Sequence, residues 1–285
     1  MKLSTALALA RGSNLPTVWT NILAGVVLAG GTANPGRLGI LAAMGTLLYA
    51  GGMFLNDACD AAIDAEERPE RPIPAGLATR REVVVGAGLL LTGGIVLAGS
   101  LGFAPLIAAL VTVGLIIAYN LHHKENALAP VIMGGCRMGL YACAALSVSP
   151  DPPLRVWIGA AALLTYVLGL TYAAAREHDG AGSLRGALML GLWAPLVAGA
   201  WMLGTLPGPA HLALVVGFGL WTAQALRSVK TRRPRRIRHG VISLIAGISL
   251  VDALLIAAVS GPPLALVALA AFLLTLALQR VVAGT

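Results

Sequence analysis

Ten apolar stretches, each about 18 to 22 residues long, follow one another along almost the whole chain, and such lengths are those of membrane-crossing helices. They lie near 15–33, 38–56, 83–101, 104–121, 130–148, 155–175, 185–204, 209–227, 240–260 and 262–280. Backbone groups in lipid must satisfy their hydrogen bonds within the segment, so each stretch reads as helix. Only 11% of the residues are charged, less than half of the roughly 25% that a soluble domain carries. The expected fold is all-α: a polytopic transmembrane helical bundle of nine to ten spans, forming one membrane-embedded domain over 1–285.

The net charge of +8 is explained by where the charges fall. With the N-terminus inside, seventeen of the 20 Lys and Arg lie on one face of the membrane. Arg37 and Arg155 lie on the other, and Arg137 falls within a span. This asymmetry is what the positive-inside rule requires. It predicts an even number of spans, both termini in the cytoplasm, and a multi-pass protein of a bacterial inner membrane. The densest basic run, Arg227 to Arg238, reads as a topology determinant resting on anionic lipid headgroups. No aromatic residue interleaves with its arginines, so a nucleic-acid partner is not expected. Met1 to Ala10 reads as a short interfacial helix rather than a signal peptide, because Arg11 interrupts the apolar run and a full span follows. Three cysteines without a CxxC pair suggest neither a zinc site nor a disulfide frame.

The acids are few and concentrated. Seven of the 12 Asp and Glu lie between Asp57 and Glu82. Asn56, Asp60 and Asp64 are four residues apart and therefore share a helical face, with a rise near 6 Å per step. Asp57 stands beside them. Oxygen donors in this number suit a hard cation, and magnesium takes one or two carboxylates together with water and substrate phosphates. A plain alternative is a solvated helix end whose acids pair with Arg68 and Arg71. Beyond the ladder, three prolines in Pro69–Pro74 cannot continue a helix and bias their predecessors toward extended backbone. The expectation is a stiff strap presenting Arg68 and Arg71, whose guanidinium forks match phosphate oxygens.

The run Asn56-Asp57-x-x-Asp60-x-x-x-Asp64, followed by Arg68-Pro-x-Arg71-Pro-x-Pro-x-Gly76, resembles the first aspartate-rich motif of the UbiA superfamily of intramembrane prenyltransferases. The wording Asn-Asp-Ala-Cys-Asp and the later Asn120 to Lys124 are similar to the EboC-like branch. The resemblance covers roughly residues 10 to 260. It implies a helical horseshoe around a central cavity open laterally to lipid, usually of nine spans, with the last span here additional.

The same resemblance implies the remaining site residues. Tyr119-x-x-x-x-Lys124 is similar to a stretch whose basic residues hold pyrophosphate, although Glu125 stands where an arginine is common. Tyr172-Ala-Ala-Ala-Arg176-Glu177-His178-Asp179 is similar to the second aspartate motif, with Arg176 at the first aspartate position. Metal ligands are thus expected at Asn56, Asp57, Asp60, Asp64, Glu177 and Asp179, with Asn56, Asp60, Asp64 and Asp179 catalytic. Diphosphate contacts are expected from Arg68, Arg71, Lys124, Arg137, Tyr172 and Arg176.

Arg137 and Asp252 lie within apolar spans, where an ionisable residue is a functional candidate by default and an internal Arg–Asp pair is the plain alternative. The implied reaction is magnesium-dependent transfer of a prenyl group from an isoprenyl diphosphate to a lipophilic acceptor, aromatic or otherwise, drawn from among membrane lipids. The rival readings are a carrier or flippase for a lipid pyrophosphate or organic anion, and a phosphatidyl-group transferase. Paired halves with broken helices, which would favour a carrier, are not visible. The Asp-Gly-x-x-Ala-Arg type of run expected of the phosphatidyl-group transferase is absent.

Overall fold

The computed structural model describes residues 1–32, 34–122, 126–174, 189–204, 207–231 and 233–281. Among them are eleven α-helices: α1 Leu3–Leu9, α2 Leu15–Leu28, α3 Pro35–Glu67, α4 Arg80–Ser100, α5 Phe103–His122, α6 Ala129–Leu146, α7 Leu154–Ala174, α8 Ala194–Leu203, α9 Pro209–Val229, α10 Pro234–Ser260 and α11 Pro262–Leu278. No strand occurs among the described residues. Helix starts are marked by the sequence itself. Proline occupies the first turn of α2, α3, α6, α8, α9, α10 and α11, where its missing N–H costs nothing. Helix α4 opens with a capping box in which Thr79 accepts from the Glu82 amide and the Glu82 carboxylate accepts from the Thr79 amide.

Where it is described, each of the ten apolar stretches contains helix, but the lengths differ from expectation. Among the described residues seven helices are long and apolar enough to cross a membrane: α3, α4, α5, α6, α7, α9 and α10. Helix α2 has 14 residues, α8 has 10 after a 3₁₀ turn, and α11 has 17. Helix α2 is short and yet nearly all buried, because α3, α6, α10 and α11 all pack against it. The chain is a multi-pass membrane protein in which α3 to α7 pack each against the next, α10 packs against both α8 and α9, and α10 and α11 return to α2.

Helix α3 is the longest of the described helices. The apolar span ends near position 56, and the helix carries on through the ladder, as the four-residue spacing requires, to Glu67, 33 residues in all. At 1.5 Å per residue that is about 50 Å, well beyond a hydrocarbon core of about 30 Å. The extension is rich in Ala and Glu, which favour helix, and ends at Arg68 before Pro69. The segment after it is not an extended strap. It folds into successive turns, with Ala75 N–H donating to Arg71 O at 2.9 Å and Leu77 N–H to Pro72 O at 2.9 Å. Gly76 closes them at φ +70°, where a Cβ would be strained.

The two ends of the bundle separate as the charge map requires. One end brings together Arg11, Asp57 and Arg71, and there Gln279 at the end of α11 donates to Asn14. The other holds Arg37 and Arg155, which donate to the carbonyls of Ser147 at 2.7 Å and Leu28 at 2.6 Å. Both carbonyls lie at helix C-termini that lack internal partners. The two arginines on the minority side therefore have a structural task.

Candidate active site: an acidic helix end held by two arginines

The last three turns of α3 place Asn56, Asp57, Asp60 and Asp64 in one contiguous polar cluster. Asn56 Nδ2 donates to Asp60 Oδ2 at 3.1 Å. Arg71, from the turns beyond the helix, reaches back between two carboxylates, with Nη1 2.8 Å from Asp64 Oδ2 and 3.4 Å from Asp57 Oδ1. Asn56, Asp57 and Asp64 are buried, although they stand on the end of a helix that extends past the lipid. Buried carboxylates need compensating charge, and here arginine supplies it.

A second arginine completes the arrangement, and the sequence reading did not assign it. Arg11 Nη2 donates to Asn56 Oδ1 at 3.1 Å and to Asp57 Oδ1 at 3.2 Å. Arg11 stands between α1 and a 3₁₀ turn at Gly12–Asn14, with φ 45° and ψ 53°. It is the one non-glycine residue with positive φ among those described. Such a conformation is uncommon and persists where surrounding contacts enforce it. The signal in the sequence was a lone arginine breaking an apolar N-terminal run; its three-dimensional partner 46 residues away was not legible there.

The other expected positions sort as follows. Arg68 makes no ion pair among the described residues. Tyr172 is partly exposed on α7 and is not joined to the acidic cluster by any hydrogen bond among the described residues. Lys124, Arg176, Glu177 and Asp179 lie outside the described residues. Arg137 makes no hydrogen bond or ion pair to the acidic cluster among the described residues. Its Nη1 donates to Asn21 Oδ1 at 2.9 Å, and its guanidinium lies 5.3 Å from the ring centre of Tyr49. Asp252 is not paired directly with Arg137; it accepts from Asn21 Nδ2 at 2.8 Å and from the Tyr141 hydroxyl. Asn21 thus separates the charges that the plain alternative had joined. The polar bridge depends on close approach of α2 and α6. A Cβ on Gly25, one turn beyond Asn21, would come within 2.8 Å of the Tyr141 carbonyl and of Ala144 Cβ.

Among the described residues no three Asp, Glu, His or Cys side chains are arranged to enclose a metal ion on their own. Magnesium does not require such a cage, since it typically binds through one or two carboxylates and completes its shell with waters and substrate phosphates. The donor set of Asp60, Asp64 and the Asn56 amide fits that use. It does not fit a tight resident cation, because Arg71 already compensates Asp57 and Asp64.

Fold and site together define a polytopic, all-helical membrane protein with an Asn/Asp-rich helix end bracketed by arginines. A profile of the UbiA prenyltransferase family matches residues 17–245. The chain belongs to that family. It is 33% identical over 126 residues to a digeranylgeranylglyceryl phosphate synthase of Methanoculleus marisnigri, a match covering 44% of this chain and 45% of that one. The chain spans about half the length of the curated relatives it matches. The apo structure of a UbiA homolog from Aeropyrum pernix superposes with a TM-score of 0.68 at 17% identity, covering 86% of this chain and 97% of that one. A UbiA homolog from Archaeoglobus fulgidus, bound to GPP and Mg2+, gives 0.54 at 14% identity, covering 89% and 97%. At these identities the structures establish a shared fold.

Proposed function

We propose that the chain transfers a prenyl group, in a magnesium-dependent reaction, from an isoprenyl diphosphate to a lipophilic acceptor at the acidic end of α3. The observation that carries this reading is the cluster itself: three carboxylates and an amide on one helix end, bracketed by Arg11 and Arg71. A bare acidic site repels a diphosphate. Magnesium held by Asp60, Asp64 and Asn56 supplies charge neutralisation of the leaving group.

Arg71 and Arg11 are then placed to turn from the carboxylates to phosphate oxygens, as is Arg68, which has no carboxylate partner among the described residues. Guanidinium forks suit such oxygens. The bond between C1 of the prenyl chain and the bridging oxygen breaks, and its electron pair leaves with the diphosphate. The acceptor's nucleophile bonds to C1 and releases its proton. Apolar helix surface keeps water from the allylic cation. The relatives named as digeranylgeranylglyceryl phosphate synthases favour a glycerophosphate-type lipid as the acceptor class. A glyceryl lipid phosphate incubated with labelled geranylgeranyl diphosphate, magnesium and the purified protein should yield a labelled diether. Release of free prenyl alcohol alone would exclude transfer.

A further inference from the structure

Helix α6 carries one charged residue, Arg137, about two turns from its start at Ala129. A charged side chain at this depth is costly, and its only hydrogen bond among the described residues, to Asn21, does not require charge. A neutral glutamine could donate in the same way. Guanidinium offers five N–H donors, and this one uses a single nitrogen. No carboxylate lies within ion-pairing distance of it among the described residues. Asp252 is set one side chain further away and is held by neutral donors, Asn21 and Tyr141 among them. The charge of Arg137 is thus held in place but not directly paired.

Its surroundings indicate what it faces. Tyr49, beneath the guanidinium, precedes Asn56 by two turns on the same face of α3, about 10 Å deeper along the helix than the first member of the acidic cluster. Tyr49, Met53, Met133 and Arg137 all keep accessible surface, whereas Leu48, Phe54, Leu140 and Tyr141 are buried. Along α3, Asp60 lies 11 residues and Asp64 15 residues beyond Tyr49, about 16 and 22 Å by helical rise.

We propose that Arg137, held by Asn21 and seated on Tyr49, binds an anionic oxygen group, phosphate or carboxylate, on the head of the acceptor. This rests on the prenyl-transfer reading above and assigns the acceptor its own anchor, separate from the diphosphate clamp. Asn21 is a positioning residue, and Arg137 determines acceptor specificity.

The test is equilibrium binding to the purified protein in nanodiscs, without turnover. Two probe pairs are titrated: geranylgeranylglyceryl phosphate against geranylgeranylglycerol, and tetradecanoate against tetradecanol. A non-hydrolysable geranylgeranyl thiodiphosphate with magnesium reports donor binding separately. Wild type should favour the anionic member of at least one pair by about tenfold or more. Arg137→Gln, which can keep the bond to Asn21 and so the fold, should erase that preference and leave donor affinity unchanged. Arg137→Lys should restore part of it. The proposal is overturned if Arg137→Gln keeps the preference, if wild type shows none, or if Arg137→Gln loses donor affinity. Failure of the wild type to bind the donor analogue would count against prenyl transfer itself, while the acceptor pairs would still decide the role of Arg137.

Discussion

Arg11 donates to Asp57 across 46 residues of sequence, 3.2 Å from the carboxylate oxygen, and so ties the turn before α2 to the acidic end of α3. The contact joins a left-handed arginine to a buried carboxylate. It places a second cation beside the cluster, on the same Asp57 oxygen that Arg71 approaches. Replacing Arg11 by Ala should cost about 1 kcal/mol of stability, a modest loss because Arg71 still compensates Asp57 and Arg11 is partly exposed. The same variant should bind magnesium–diphosphate more weakly. Thermal unfolding in detergent and titration with a thiodiphosphate analogue measure the two effects separately.

Asp60→Ala and Asp64→Ala should each lower prenyl transfer by ~100-fold or more, the scale seen when a group stabilising developing charge is removed. Membrane insertion should be unchanged, because both residues stand at the end of α3 that extends past the lipid. Labelled-product extraction from membranes carrying equal amounts of variant decides this; ordinary turnover in Asp60→Ala would remove the proposed site.

Chelation of magnesium should abolish transfer and also the stabilisation that a prenyl diphosphate gives the purified protein. Adding magnesium back should restore both. Diphosphate-dependent thermal shifts that persist in excess chelator would show that arginines alone hold the substrate.

Tyr141→Phe removes one of the donors to Asp252, which is fully buried. A buried acceptor left short of a partner costs about 1–3 kcal/mol, so a loss of that size in thermal stability is expected, with donor affinity unchanged. A shift in donor affinity would instead connect Asp252 to the diphosphate.

Gly25→Ala should destabilise by about 1–3 kcal/mol, as extra volume in a packed interior does, since the new methyl meets the Tyr141 carbonyl on the neighbouring helix. Small residues at helix crossings in membranes permit this kind of approach. Because the crossing also sets Asn21 against Arg137, the variant should weaken the selectivity of Arg137 for anionic acceptors.

Much of this protein was written along the chain. Hydropathy determined the ten helical segments, since lipid leaves the backbone no other partner. The charge asymmetry determined which loops share an end, and a four-residue period put Asn56, Asp60 and Asp64 on one face. Helix starts followed from proline and from the Thr79–Glu82 box. Those features depend on near neighbours, so sequence alone suffices for them. Tertiary structure decided what distance in sequence hides. It folded the proline segment so that Arg71 points back at Asp57 and Asp64, and brought in Arg11 from the N-terminus. It also put Asn21 between Arg137 and Asp252, where sequence composition suggested a direct pair. Each of these depends on which helices pack against which, and the close approach at Gly25 is set by side-chain volumes on two helices at once, which no local pattern records.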